Sequence, residues 1–330
     1  MNDVRPDRTL ALELVRTTEY AALAAARWTG RGEKESADGA AVDAMRLMLD
    51  TVHMDGTVVI GEGEKDEAPM LYNGEHIGDG SPPEVDIAVD PLEGTDLCAK
   101  GFPNSLAVLA LADRGTMFDP GSVFYMEKMA TSKDLAHLLD LDRPLGETLE
   151  LMAKEKQTTV GDIVVIMLDR DRHKDAVEEI RRVGARIRFI PHGDVAASLS
   201  AVTQGSPIDL LYGIGGTPEG VLSASAIKCI GGKIIARLWP RNEDERQAAV
   251  DEGLDLDEVI DTNRLVSGEN VFFSATGVTG GDMLAGVHFE GPEGATTESL
   301  VMRSRSGTVR RIQSRHDREK LRGLTGYGGG

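Results

Sequence analysis

The sequence predicts a layered α/β fold, and three observations carry that expectation. Strand-length apolar runs alternate with helical segments across residues 163–239, the rhythm of βαβ units. In residues 85–90, Val85, Ile87 and Val89 alternate with Asp86, Ala88 and Asp90, the period of a strand with one buried face. The chain has 330 residues, 41% hydrophobic and 28% charged, which is long enough for a large core or two adjoining layers.

Each element follows from local pattern. Residues 9–29 read as a helix, with Leu10, Leu14, Ala21, Ala25 and Trp28 near one face and Gly30 after it. Ser36 suits the cap of a second helix running to about His53, with Asp38 in its first turn and Val42, Met45, Leu49 and Val52 inward. TVVI (57–60) is a short strand opening into GEGEKDEAP. Pro91 cannot continue a ladder, so the next strand is expected to end at Asp90. Strands at 105–112 and 124–131 follow. The second half alternates strand 163–169, helix 172–184, strand 186–191, helix 192–205 capped by Asp194, and strand 209–216. Thr217 then suits an N-cap and Pro218 the first helical position, before strand 233–239. Residues from NVFFSATGV to VRRIQSRH read as further strands, and the tail 323–330 as disordered.

Composition narrows the function. Lys and Arg number 36 against 55 Asp and Glu, a net charge of −19. Such a surface does not attract nucleic acid or anionic membrane; a phosphorylated ligand would need local cations. Residues 303–322 run against the trend, with eight Lys/Arg and two acids; they read as a solvent-facing hairpin and helix or a subunit contact, with an RNA-binding tail as the sharper alternative. Cys98 and Cys229 lie far apart, which suggests a reduced, cytoplasmic protein. The expectation includes no signal peptide and no membrane span.

The chemistry-bearing pattern is acidic. Asp90, Glu93 and Thr95 crowd one turn in VDIAVDPLEGTD, and two such carboxylates repel unless something positive sits between them. Asp38 opens a helix, Glu62 and Glu64 follow the strand TVVI, and Glu219 opens the helix after GIGGTP. Ligands of open α/β sheets bind beyond the carboxyl ends of strands, and an all-oxygen set without Cys or His suits Mg²⁺ or Mn²⁺. Asp86 stands four residues back along the strand, roughly 13 Å away, too far to share the ion. Plainer readings stand beside these: Asp38 and Glu219 as acids favourable at a helix dipole, and GEGE as a charged turn. Glycines 213, 215, 216 and 220 do not fit GxGxxG, and no GxxxxGK[ST] occurs; they still let backbone amides approach a phosphate.

DPLEGT resembles the DP(I/L)(D/E)G(S/T) signature of the metal-dependent, lithium-sensitive sugar phosphatases, which include inositol monophosphatase. The longer set VIGEGEKDEAPMLYNGE, VDIAVDPLEGTD, YMEKMA and GIGGTPEGV, in this order, resembles class II fructose-1,6-bisphosphatase of the GlpX type over about residues 5–322. The resemblance implies a layered αβαβα architecture with mixed sheets. It implies a metal-binding half (1–134) and a sugar- and phosphate-binding half (135–322). Asp38 and Glu62 match a first metal pair; Asp90, Glu93, Glu219 and the Leu92 carbonyl match the second metal's ligands, for two or more Mg²⁺ or Mn²⁺ ions. Thr95 matches the threonine that orients the attacking water, and Asp66 and Lys34 stand where the family has further active-site groups. Glu93, Gly94, Thr95, Tyr125, Arg170, Asp171, Arg172, Gly193, Asp194 and Gly216 match substrate contacts, the arginines receiving the phosphate that is not cleaved.

His192 stands where the family's DGD segment begins with aspartate, which bears on a sugar hydroxyl contact and on the preference between six- and seven-carbon bisphosphates. The implied activity is hydrolysis of the 1-phosphate of fructose 1,6-bisphosphate in gluconeogenesis and glycerol metabolism, by a cytoplasmic homo-oligomer, dimer or tetramer. The alternatives are a dual fructose-1,6-/sedoheptulose-1,7-bisphosphatase, an inositol monophosphatase-like enzyme, a nucleotide-dependent oxidoreductase, or a non-catalytic metal-binding protein.

Overall fold

The computed structural model describes residues 10–63, 70–291 and 294–317. Along the chain come α1 (Ala11–Ala25), α2 (Lys34–Leu49), β1 (Asp55–Ile60), β2 (His76–Ile77), β3 (Glu84–Glu93), α3 (Thr95–Lys100), β4 (Leu106–Asp113) and β5 (Tyr125–Thr131). Then follow α4 (Leu145–Glu155), β6 (Val164–Leu168), α5 (Lys174–Val183), β7 (Arg186–Ile190), α6 (Asp194–Val202), β8 (Leu210–Gly216) and α7 (Thr217–Ile230). The remainder is β9 (Lys233–Leu238), α8 (Glu243–Asp251), β10 (Ile260–Asp261), α9 (Thr262–Leu265), β11 (Phe272–Gly277), β12 (His288–Glu290), β13 (Gly294–Arg303) and β14 (Thr308–Asp317).

Two mixed sheets result. The first runs β12-β13-β11-β4-β3-β1-β2, with β14 on the far side of β13; only β1 and β3 pair in parallel. The second runs β10-β9-β5-β8-β6-β7, parallel from β8 through β7 and antiparallel elsewhere. Helices α1 and α2 cover the outer face of the first sheet, α6 and α7 lie between the sheets, and α4 and α5 cover the outer face of the second. The order is therefore α, β, α, β, α. An apolar core fills each of the three helix layers; the middle one joins Val108 and Ala110 of β4 to Val221 and Leu222 of α7 and to Met126 and Ala130 of β5.

Several local expectations are corrected. Strand β3 does not stop at Asp90 but runs to Glu93. Its ladder with β4 pairs Asp90 with Val108 and then Glu93 with Leu106, so Pro91 sits in a bulge where a missing N–H costs no ladder bond. Nor does β3 have one wet face. Asp86 is as buried as its apolar neighbours, because helices cover both sides of a central strand. Its carboxylate accepts from the backbone amides of Thr116 (2.8 Å) and Met117 (3.0 Å), which makes it a strut for the following loop and keeps it out of any site. Helix α2 begins at Lys34, so Ser36 lies inside it and Asp38 falls one turn in, beyond the reach of a dipole argument. Gly193 and Gly216, not Asp194 and Thr217, precede α6 and α7; Thr217 instead donates its hydroxyl to the Val123 carbonyl at 3.1 Å. Helices α4 and α8 were not expected. The basic segment begins as a hairpin, β13–β14; the expected helix after it, and the tail, lie outside the described residues.

Candidate active site

A cleft of about 280 Å³ opens where the end of β3, the start of α3, the end of β8 and the start of α6 meet. Asp90, Leu92, Glu93, Gly94, Thr95 and Asp96 line one part of it; Tyr125, Arg170, Arg172, His192, Gly193 and Asp194 line another, and Lys34, Gly216 and Glu219 also border it. The bulge in β3 turns the chain so that Asp90 and Glu93 both reach this space. The amide of Leu92 donates to Asp90 Oδ1 (3.2 Å), and Ser105 Oγ donates to the Glu93 carbonyl (3.0 Å). Thr95 Oγ1 lies 3.0 Å from the Leu92 carbonyl and 3.3 Å from Asp38 Oδ1, tying α2 to the turn. Glu62 follows β1 and is close enough to Asp38 to feel its charge.

The acids crowd one another. Asp90 reaches the cleft yet is ringed by protein; that loss of water, then the charges of Glu62, Glu93, Glu219 and Asp38, hold its carboxyl well above the usual range. Burial first and Glu219 and Asp194 next push Glu93 up to about 8, against a 3.3 Å bond from the Val195 amide and the attraction of Lys128. Burial and then Asp38 push Glu62 up to about 7. Burial also raises Asp38 and Glu219. Glu93 Oε2 and Glu219 Oε2 are buried without a hydrogen-bond partner, a costly condition for carboxylate oxygens. The acids lie near one another without forming a closed shell. Among the described residues no three His, Cys, Asp or Glu side chains close on one point as a ready-made ion site, and their mutual repulsion opposes such closure.

The basic part is built differently. Arg172 donates from Nε (3.0 Å) and Nη2 (2.8 Å) to the Ile214 carbonyl and lies over the Tyr125 ring, 4.8 Å from its centroid. Arg170 donates to the carbonyls of Asp169 (2.8 Å) and Pro191 (2.7 Å). Buried His173 holds this corner. Its Nε2 accepts from the Ile214 amide (2.8 Å), so Nδ1 carries the proton it donates to the Leu168 carbonyl (2.8 Å). Burial keeps that ring neutral by lowering its pKa. His192 Nε2 and Lys34 Nζ stand 3.3 and 3.5 Å from Asp96 Oδ2.

Glycine at 216 is a matter of space: a Cβ there would lie 1.8 Å from Glu219 Oε2. The fold thus brings Asp38, Lys34, Asp90, Leu92, Glu93, Gly94, Thr95, Tyr125, Arg170, Arg172, His192, Gly193, Asp194, Gly216 and Glu219 to one region, with Glu62 near enough to act on both Asp38 and Asp90. Asp171 is exposed and does not line the cleft. Asp66 and Glu64 lie outside the described residues. Sequence reading missed Asp96, which gathers Lys34, Lys100 and His192, and Lys128, which is 1% exposed. The signal for Lys128 was a lone lysine inside the apolar strand 124–131.

Residues 8–316 match the family model described as bacterial fructose-1,6-bisphosphatase, glpX-encoded. The chain is 45% identical over 322 residues to the fructose-1,6-bisphosphatase 1 class 2 of Escherichia coli K12, covering 94% of this chain and 95% of that protein. The same figures hold for the fructose-1,6-bisphosphatase class 2 of Shigella flexneri. Among solved structures it is similar to the extragenic suppressor protein SuhB from Bartonella henselae, at TM-score 0.34 and 14% identity, over 59% of this chain and 74% of that one.

Proposed function

The chain belongs to the bacterial glpX-encoded fructose-1,6-bisphosphatase family, and from that premise we propose that this cleft hydrolyses the 1-phosphate of fructose 1,6-bisphosphate, giving fructose 6-phosphate and inorganic phosphate. One observation carries the assignment of the site: unpartnered carboxylates and two anchored arginines share a single cleft. A substrate with two phosphates needs both, one end for transfer and one for grip.

The donor set fits divalent cations. Buried acid oxygens without partners and the Leu92 carbonyl are hard ligands of the kind Mg²⁺ and Mn²⁺ take. Asp38 and Glu62 would hold one ion, and Asp90, Leu92, Glu93 and Glu219 another. When bound, such ions neutralise phosphate oxygens and activate water. Thr95 orients that water: its hydroxyl proton is directed to Asp38 or the Leu92 carbonyl, which leaves its oxygen free to accept. Arg170 and Arg172, already fixed on backbone carbonyls, grip the distal phosphate with their remaining N–H groups, and Tyr125, Gly193, Asp194 and Gly216 frame the sugar. The division at residue 134 separates most of these roles, with Glu219 crossing to the metal side and Tyr125 to the sugar side. Catalysis is then chiefly positioning and charge neutralisation.

Within the cleft His192 is engaged by Asp96, which favours a looser grip on the sugar and activity on sedoheptulose 1,7-bisphosphate as a second reading. No helix among the described residues is long and apolar enough to cross a membrane, and the reading places the enzyme in the cytoplasm as a dimer or tetramer. Phosphate release from a panel of sugar phosphates and inositol monophosphate, with Mg²⁺ or Mn²⁺ titrated into metal-stripped protein, tests the substrate and the metal requirement. Fructose 1,6-bisphosphate should be the best substrate; metal-independent release, or a preference for a monophosphate, refutes it.

A further inference from the structure

Lys128 is the only buried lysine or arginine among the described residues. It sits on β5, between β8 and β9 in the second sheet, on the same face as Met126 and Ala130, which belong to the middle core. Its Nζ lies 2.7 Å from Asp194 Oδ2 and donates to the Gly216 carbonyl at 3.0 Å. Those two contacts reach the first residue of α6 and the residue before α7. The next residue of α6, Val195, gives its amide to Glu93, and the first turn of α7 carries Glu219. One ammonium on a stiff central strand therefore fixes two helix starts that present acids to the cleft. Gly215 makes room for it: a Cβ there would lie 2.0 Å from Asp194 Oδ2 and 3.2 Å from Lys128 Cε.

Lys128 also attracts Glu93 and Glu219, both of which Asp194 repels. We propose that Lys128 is a positioning residue, a resident cation that withholds Asp194 from the metal-binding acids and so limits how many divalent ions the cleft takes. Bound to the ammonium, Asp194 stays a neutralised partner at the sugar side. Without it, buried Asp194 and Glu93 and part-buried Glu219 would be three carboxylates with no internal counter-charge, a set suited to one more hard cation. The inference rests on the metal reading above.

The test is calorimetric titration of Mn²⁺ into the full-length, metal-stripped protein and two variants. Lys128→Met removes charge and donors; Lys128→Gln removes the charge but keeps an amide able to donate to Asp194 and Gly216. Expected are one additional Mn²⁺ per chain or about tenfold tighter binding in both variants. Unchanged or weaker binding in the variants, beside normal binding by the parent, overturns the role of Lys128 alone; no binding by the parent overturns the metal reading instead. A variant that folds only when Mn²⁺ is added supports the inference, since the ion has replaced the ammonium. Failure to fold at any Mn²⁺ concentration overturns it in favour of a purely structural lysine.

Discussion

At the acidic end of the cleft, Glu93 Oε2 and Glu219 Oε2 are buried without hydrogen-bond partners and the acids repel one another; at the basic end, Arg170 and Arg172 have already committed donors to backbone carbonyls. The acidic end is set by a bulge in β3, an amide from α6 and the buried Lys128 that joins the starts of α6 and α7. The basic end is held by side chains satisfied before any ligand arrives. One end therefore needs cations to reach its working arrangement, while the other is shaped in advance for an anion. That asymmetry is what a phosphate transfer site requires, since charge must be neutralised where bonds change and merely gripped where they do not.

The sharpest way to break the comparison is Glu219→Gln. The shape is retained and one charge is lost, so turnover should fall by about 100-fold or more with no loss of melting temperature. Full turnover in that variant would remove Glu219 from the metal set. At the other end, Arg172→Ala should raise the KM for the bisphosphate by roughly tenfold, the scale of one charge-assisted hydrogen bond, with kcat on a small monophosphate ester intact. An equal loss on both substrates would show that Arg172 serves the reacting centre.

The smallest effect is on stability against pH, and its sign separates the two ends. Glu62 and Glu93 are raised to about 7 and about 8, and Asp90 lies well above its ordinary value. Between the ordinary carboxylate range and pH 8 the folded protein thus holds more protons than the unfolded chain, and stability falls as pH rises. Metal-stripped protein should melt several degrees lower at pH 8.5 than at pH 6, and saturating Mn²⁺ should flatten that slope. A metal-free melting temperature that climbs with pH over this interval would contradict the crowding of the acids.

Much of the fold could be read in the residues because helices and strands announce themselves by period: β4, β6 and α7 lie within a residue or two of where the pattern puts them. What could not be read depends on a second element. Pro91 ends a strand by its own chemistry, but β4 contributes one residue opposite two and absorbs it. Asp86 looks like the wet side of a strand until helices cover both faces. Asp194 suits a cap in isolation, yet Lys128 claims it. The acids of the site were visible as acids; their common location depended on the bulge and on α6 and α7 beginning side by side.

The first sheet joins β1–β4, from early in the chain, to β11–β14, from its end. On the ribosome, β4 must wait for residues 272–277 before its second neighbour exists, and until then the run Ala107–Leu111 presents an apolar open edge. Such an edge invites pairing with another nascent chain. Emergence of β11, rather than of the first half alone, is the step that closes this edge of β4.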